Sequence, residues 1–202
     1  GRQTDIHVSN RAAYLFVHKS KDQTTTVHKL ALSGDGSTPV VARGTFSGQL
    51  LNQFSADEHE GRLRVATSQS FTRAWRGQFH KVLVLEQRGD MLAVAGETAD
   101  IAPREVLHSV RFLGDRAFVV TFQRIDPLFS IDLSDPTNPT VEGELEIPGF
   151  SDYLHPVGEE YLVGIGRDAD PRTGRAGAVQ VSLFHVGDLS NPKLVDKRIL
   201  HG

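Results

Sequence analysis

"GRDADPRTGRAG", Gly166 to Gly177, sets Asp168 and Asp170 two residues apart in a polar, glycine-containing stretch. Carboxylates at alternate positions in such a loop suit calcium, a hard cation that takes about six to eight oxygen ligands. Here Pro171, Arg172 and Arg175 follow where further acids would be needed, and with Arg167 three arginines stand beside the two carboxylates. One reading makes Asp168 and Asp170 calcium ligands, and the other pairs them with these arginines or leaves them solvated.

A second stretch suits recognition rather than metal chemistry. "SQSFTRAWRGQFH", Ser68 to His80, carries the only tryptophan, Trp75, between Arg73 and Arg76, with Phe71 and Phe79 on either side. Tryptophan and arginine are enriched where interfaces bury area, and both stack on flat partners. Arg73, Trp75 and Arg76 are therefore the candidate binding residues. The plain alternative is a long hairpin loop that folds Trp75 back onto its own strands.

Nine histidines are scattered through the chain without the close pairs that a local zinc site uses. Two of them, His108 and His155, fall on strands expected to lie innermost, where a closed repeat could bring them together. Acid–base hydrolysis would need carboxylates facing one another across a cleft. "ADEHE", Ala56 to Glu60, is acidic enough, but it occupies a place that later repeats fill with a turn. No serine sits in a nucleophile-elbow setting, and "VGIGRD" has no following helix to make a phosphate loop.

Composition narrows the classes. Of 202 residues, 39% are hydrophobic and 23% charged, as in a folded protein. The net charge of −3 leaves no broad basic field, which disfavours general nucleic-acid binding. No apolar run approaches the roughly 20 residues of a spanning helix. Cysteine is absent, excluding disulfides, thiolate metal sites and cysteine nucleophiles without fixing a compartment. The start, Gly1 followed by polar residues, reads as a trimmed end with no visible signal peptide.

The elements that would position these residues repeat along the chain. "SVRFLGDRAFVVTF" from Ser109 lies over "YLHPVGEEYLVGIG" from Tyr153 without a gap: strand, Gly-acid turn, strand. "PLFSIDLSDPTNPTVEGELEI" then lies over "VSLFHVGDLSNPKLVDKRIL", with an Asn-Pro turn between the third and fourth strands. Weaker copies begin at Thr4 and Asn52. Alternation in "RLRVA" and "GELEI" suits sheets with one buried face, whereas "VLVL", Val82 to Leu85, suits a strand buried on both. Nothing sustains a period of 3.6, so almost no helix is expected.

Four-stranded units of this length point to an all-β fold, a β-propeller portion of four blades of four antiparallel strands. The blades are expected near residues 4–48, 50–100, 105–149 and 152–200. A large sandwich or two-sheet barrel also has many strands at even spacing, but it has no reason to repeat both turns at matched offsets.

These residues also carry a resemblance. "LLNQFSADEHEGRLRVATS", with Asp126-Pro127-Leu128-Phe129 and Ile147-Pro148-Gly149-Phe150 following in order, resembles the secreted bacterial and archaeal β-propeller domain family, distantly related to WD repeats. The turn at Asp135 to Pro139 is similar to that of LVIVD-type propeller repeats. The resemblance covers Leu50 to about Ile199, with Thr4 to Gly48 fitting more loosely. It implies an exported protein, extracellular or in the cell envelope, and further blades upstream of this region. It brings no agreed activity.

The expectation that follows is a non-catalytic scaffold binding a protein or glycan through loops on one face. Its alternative is a hydrolase or other enzyme with its site at the propeller axis. Either missing N-terminal blades or self-association would cover the faces of the terminal units.

Overall fold

A computed structural model of the chain describes residues 2–70, 78–122, 126–147, 149–169 and 176–200. Among them are sixteen strands and one short 3-10 turn, Gln53–Ser55. The first group is β1 (Arg2–Val8), β2 (Ala12–Lys19), β3 (Thr24–Ala31) and β4 (Val40–Ser47); the second is β5 (Ala56–His59), β6 (Arg62–Ser70), β7 (Gln78–Arg88) and β8 (Met91–Glu97). The third is β9 (Val106–Leu113), β10 (Arg116–Phe122), β11 (Asp126–Asp132) and β12 (Thr140–Ile147). The fourth is β13 (Phe150–Val157), β14 (Tyr161–Ala169), β15 (Ala176–His185) and β16 (Lys193–Leu200).

Within each group, consecutive strands pair antiparallel. The sixteen strands nevertheless form three sheets rather than four, because β4 pairs in parallel with β8 at Arg43 and Met91. The Arg43 amide donates to Asp90 O there, fusing the first two groups into one eight-stranded sheet. This departs from the expected four separate four-stranded sheets. Its cause is a hydrogen bond between residues far apart in sequence.

Turn chemistry explains the hairpins. Glu60 and Gly61 both hold positive φ, 50° and 80°, as a two-residue I′ turn between β5 and β6 requires. Between third and fourth strands, Asp35, Asp135 and Asp188 each accept the backbone N–H and the hydroxyl of the residue two places on, Ser37, Thr137 and Ser190. These bonds to the ionised form hold the three carboxyls below their usual range. In every group the third and fourth strands share a β-bulge, at Lys29/Leu30, Val84/Leu85, Ser130/Ile131 and Leu183/Phe184.

Burial falls between successive groups. One apolar cluster joins the first group to the second through Tyr14, Phe16, Leu63 and Leu85. Another joins the second to the third through Val82, Val119 and Ile131, and a last joins the third to the fourth through Phe118, Leu128, Leu162 and Phe184. Val82 to Leu85 are all buried, as their unbroken apolar run requires. "RLRVA" differs from its expected alternation: Arg64 is only 4% exposed, because neighbours cover both faces of β6.

The groups lock by glycine. A methyl added at Gly96 on β8 would lie 2.6 Å from Pro136 O, and one at Gly143 on β12 would meet Leu189 O. The fourth strands of the second and third groups thus receive the turn of the next group at a residue without a side chain. Asp196 occupies the matching register place on β16. On the inner side, β1 packs on the 3-10 turn, that turn on β9, and β9 on β13.

Candidate functional site

The inner strands border a cavity of about 410 Å³, reached by His7 of β1, Phe54 of the 3-10 turn, Asp57 of β5, and Arg111 and Phe112 of β9. Local sequence places Phe54: the Asn52 side chain accepts from the Phe54 amide at 2.9 Å, and the Ser55 hydroxyl accepts from the Asn52 amide at 3.4 Å, a capping box. That short turn stands where a longer strand is expected. "ADEHE" also departs from its expected place, since Ala56–His59 is strand and the turn begins at Glu60.

Two arginines meet this region in different states. Arg64 donates through Nε and Nη2 to Asp57 Oδ2, and through Nη1 to Gly114 O. A buried cation requires such pairing. Arg111 donates through Nε to Leu154 O at 2.7 Å, and among the described residues it has no carboxylate partner. Its guanidinium carbon lies 4.5 Å from the Phe54 ring centroid and 5.2 Å from that of Tyr153. Nη2 is buried without a hydrogen-bond partner, a state that costs about 1–3 kcal/mol.

Burial lowers the His7 pKa against the opposing pull of Asp57 and Glu58, favouring the neutral ring beside the cavity. Burial, then the Glu58 carboxylate, pushes the neighbouring Tyr14 phenol up. Glu58 accepts from the Ser9 hydroxyl.

Further along the same inner surface, His108 Nδ1 lies 3.1 Å from Asp152 Oδ1, and the Tyr153 hydroxyl 3.1 Å from His155 Nδ1. His108 and His155 do occupy the first strands of their groups. The structure gives each a different neighbour rather than bringing the two together.

The other sequence candidates stand apart from the cavity. Arg73, Trp75, Arg76 and Asp170 lie outside the described residues. Asp168 accepts from Lys197 Nζ at 2.8 Å, so an ammonium occupies one side of the carboxylate that the calcium reading would use. Among the described residues no group of three His, Asp or Glu side chains could hold a metal ion. Sequence reasoning missed Arg111, His7 and the role of Phe54. The available signal was an arginine inside the short apolar run "VRFL", Val110 to Leu113.

Residues 1–202 match the family described as Beta propeller domain. The chain is 41% identical over 184 residues to an uncharacterized protein of Methanocaldococcus jannaschii, covering 91% of this chain and 28% of that protein. It is 42% identical over 153 residues to an uncharacterized protein of Archaeoglobus fulgidus, covering 76% of this chain and 22% of that one. The chain therefore spans about a quarter of the length of these curated relatives. Among solved structures, a tryptophan-to-alanine mutant of Synechocystis apocarotenoid oxygenase superposes with a TM-score of 0.55 at 10% identity, over 98% of this chain and 50% of that one. At that identity the likeness concerns fold alone. Among the described residues, no helix is long and apolar enough to cross a membrane.

Proposed function

The chain belongs to the Beta propeller domain family, and we propose from that premise that it is a non-catalytic binding scaffold for a protein or glycan, working outside the cell or in its envelope. Its four strand groups are four blades, residues 4–48, 50–100, 105–149 and 152–200. They form part of a larger ring.

One observation carries the binding role: at the inner cavity the Arg111 guanidinium lies against the contacting rings of Phe54 and Tyr153, with no facing pair of carboxylates among the described residues. Glu144, whose pKa is raised by burial and then by Glu146 and Glu105, lies on β12 and does not line it. A cavity that sets Phe54 and Phe112 beside His7, Gln53, Asp57 and Arg111 suits recognition. The second contact is the segment carrying Arg73, Trp75 and Arg76, and the export reading rests on the family resemblance.

The incomplete ring is supported by the outer faces of the end groups. Ile6 and Val8 on β1 are 57% and 59% exposed, and Ile165, Val179 and Val195 are exposed on the fourth group. Apolar faces of this kind call for cover. The turn at Asp35 is built like the turns that seat on Gly96 and Gly143, so a preceding blade is the cover that fits the first face. Calcium at Asp168 and Asp170 remains a secondary proposal, tested by calcium titration of the Asp168→Asn variant.

The alternative is an enzyme at the axis, favoured by the His108–Asp152 pair. Binding of purified polysaccharides and surface proteins to the immobilised chain discriminates. Saturable binding that Trp75→Ala weakens by about 2 kcal/mol or more, with melting unchanged, supports the scaffold. A bound substance that is cleaved, with cleavage lost in His108→Ala, replaces it with the enzyme.

A further inference from the structure

We propose that the cavity between β1, the 3-10 turn and β9 binds a carboxylate carried on a flat apolar stem, with Arg111 as its anchor. The inference rests on the scaffold reading for the cavity's role and names the ligand chemistry.

Charge inside the cavity is unbalanced in one direction. Asp57, the carboxylate of its lining, is already held by Arg64 through two N–H groups. Burial favours neutral His7. Among the described residues Arg111 has no carboxylate partner, and its Nε alone has a hydrogen-bond acceptor. The group that the cavity lacks is an anion.

Geometry narrows the anion. Phe54 and Tyr153, whose centroids are 5.5 Å apart, lie to one side of the guanidinium at 4.5 and 5.2 Å, and its N–H groups point outward in its plane, so further hydrogen bonds come to its edge. A planar carboxylate meets a guanidinium edge in plane, with two parallel N–H···O bonds, where an ammonium would offer only a point charge. Of the remaining lining, Phe54, Ala56 and Phe112 are apolar and Gln53 is polar. About 410 Å³ falls within the usual range of ligand pockets, roughly 300–1,000 Å³, and accommodates an aromatic or branched aliphatic stem. A peptide C-terminus and a free aromatic acid share this chemistry.

The test is an NMR titration of the whole chain with 3-phenylpropanoate, and with 3-phenylpropanamide as its uncharged counterpart. The acid is expected to bind saturably and the amide at least tenfold more weakly. Arg111→Gln should weaken the acid at least tenfold, while Lys197→Gln, away from the cavity, leaves it unchanged. Short peptides ending in phenylalanine, free or amidated, separate the sources. A free-acid peptide that binds more tightly than 3-phenylpropanoate indicates a peptide ligand, and the reverse a small acid. Equal binding of acid and amide, no binding of either, or wild-type affinity in Arg111→Gln overturns the proposal. Should Arg111→Gln fail to fold, the acid–amide comparison on the unaltered chain decides alone. Consumption of bound probe would remove the scaffold reading and leave the acid site standing. A probe neither bound nor consumed would remove the acid site and leave the scaffold its contact at Trp75.

Discussion

His108 and Asp152 are the skipped residues of two matching β-bulges, and they hydrogen-bond to each other across neighbouring groups at 3.1 Å. Pairing on β9 passes from Leu107 to Ser109, and pairing on β13 from Ser151 to Tyr153. A bulge takes one side chain out of the pleat's alternation. Here two such side chains meet, and Phe150 packs 4.7 Å from the His108 ring.

The Asp152 carboxylate is more than half exposed, so its charge is well screened. Asp152→Asn is expected to change unfolding free energy by less than about 1 kcal/mol in urea titrations. A loss of several kcal/mol would mean that the pair holds β9 and β13 together.

Gly143 and Gly96 carry the opposite expectation. A methyl at either place meets backbone of the next group's turn, which no side-chain rotation can relieve. Gly143→Ala and Gly96→Ala should each cost about 2–3 kcal/mol by chemical denaturation. Asp196→Gly is the internal comparison: Asp196 shares the register place but is about half exposed and pairs with Arg198. That change should cost no more than about 1 kcal/mol.

His80 sets a pH dependence. It is buried, with Nδ1 at 2.8 Å from the Ser68 hydroxyl and Nε2 at 3.0 Å from Glu105 O, and burial lowers its pKa from 6.5 despite that carbonyl. The folded chain therefore takes up this proton less readily than the unfolded chain. The contribution is complete above pH 6.5 and is lost as pH falls below it toward the lowered folded value. Thermal melts from pH 7.5 to 5 should show this acid-side fall, and His80→Gln should flatten it. An unaltered profile in His80→Gln would assign the fall to other groups.

The exposed Ile6 and Val8 face predicts association of the isolated chain. Sedimentation velocity should show concentration-dependent self-association, suppressed in a chain carrying further blades upstream. A monomer at every concentration would contradict the incomplete ring and favour closure by these four groups.

What the sequence determined by itself is local. Alternation in "GELEI" and the unbroken run Val82 to Leu85 are consequences of a two-residue side-chain period. The turns at Asp35, Asp135 and Asp188 follow from short side chains bonding their own backbone. Repetition of these signals along one chain was enough for an all-β fold of repeated units. Tertiary structure alone decided how the units meet. Arg43 and Met91 pair across groups, Gly143 receives Leu189, and Phe54 and Tyr153 meet at the Arg111 guanidinium. Each of these depends on residues more than forty positions apart. A bulge adds a further gap, because one skipped residue redirects His108 and Asp152 without altering the composition of their strands. Strand formation is governed by neighbours in sequence, whereas the cavity and its uncompensated cation arise from packing between strands that the chain brings together only on folding.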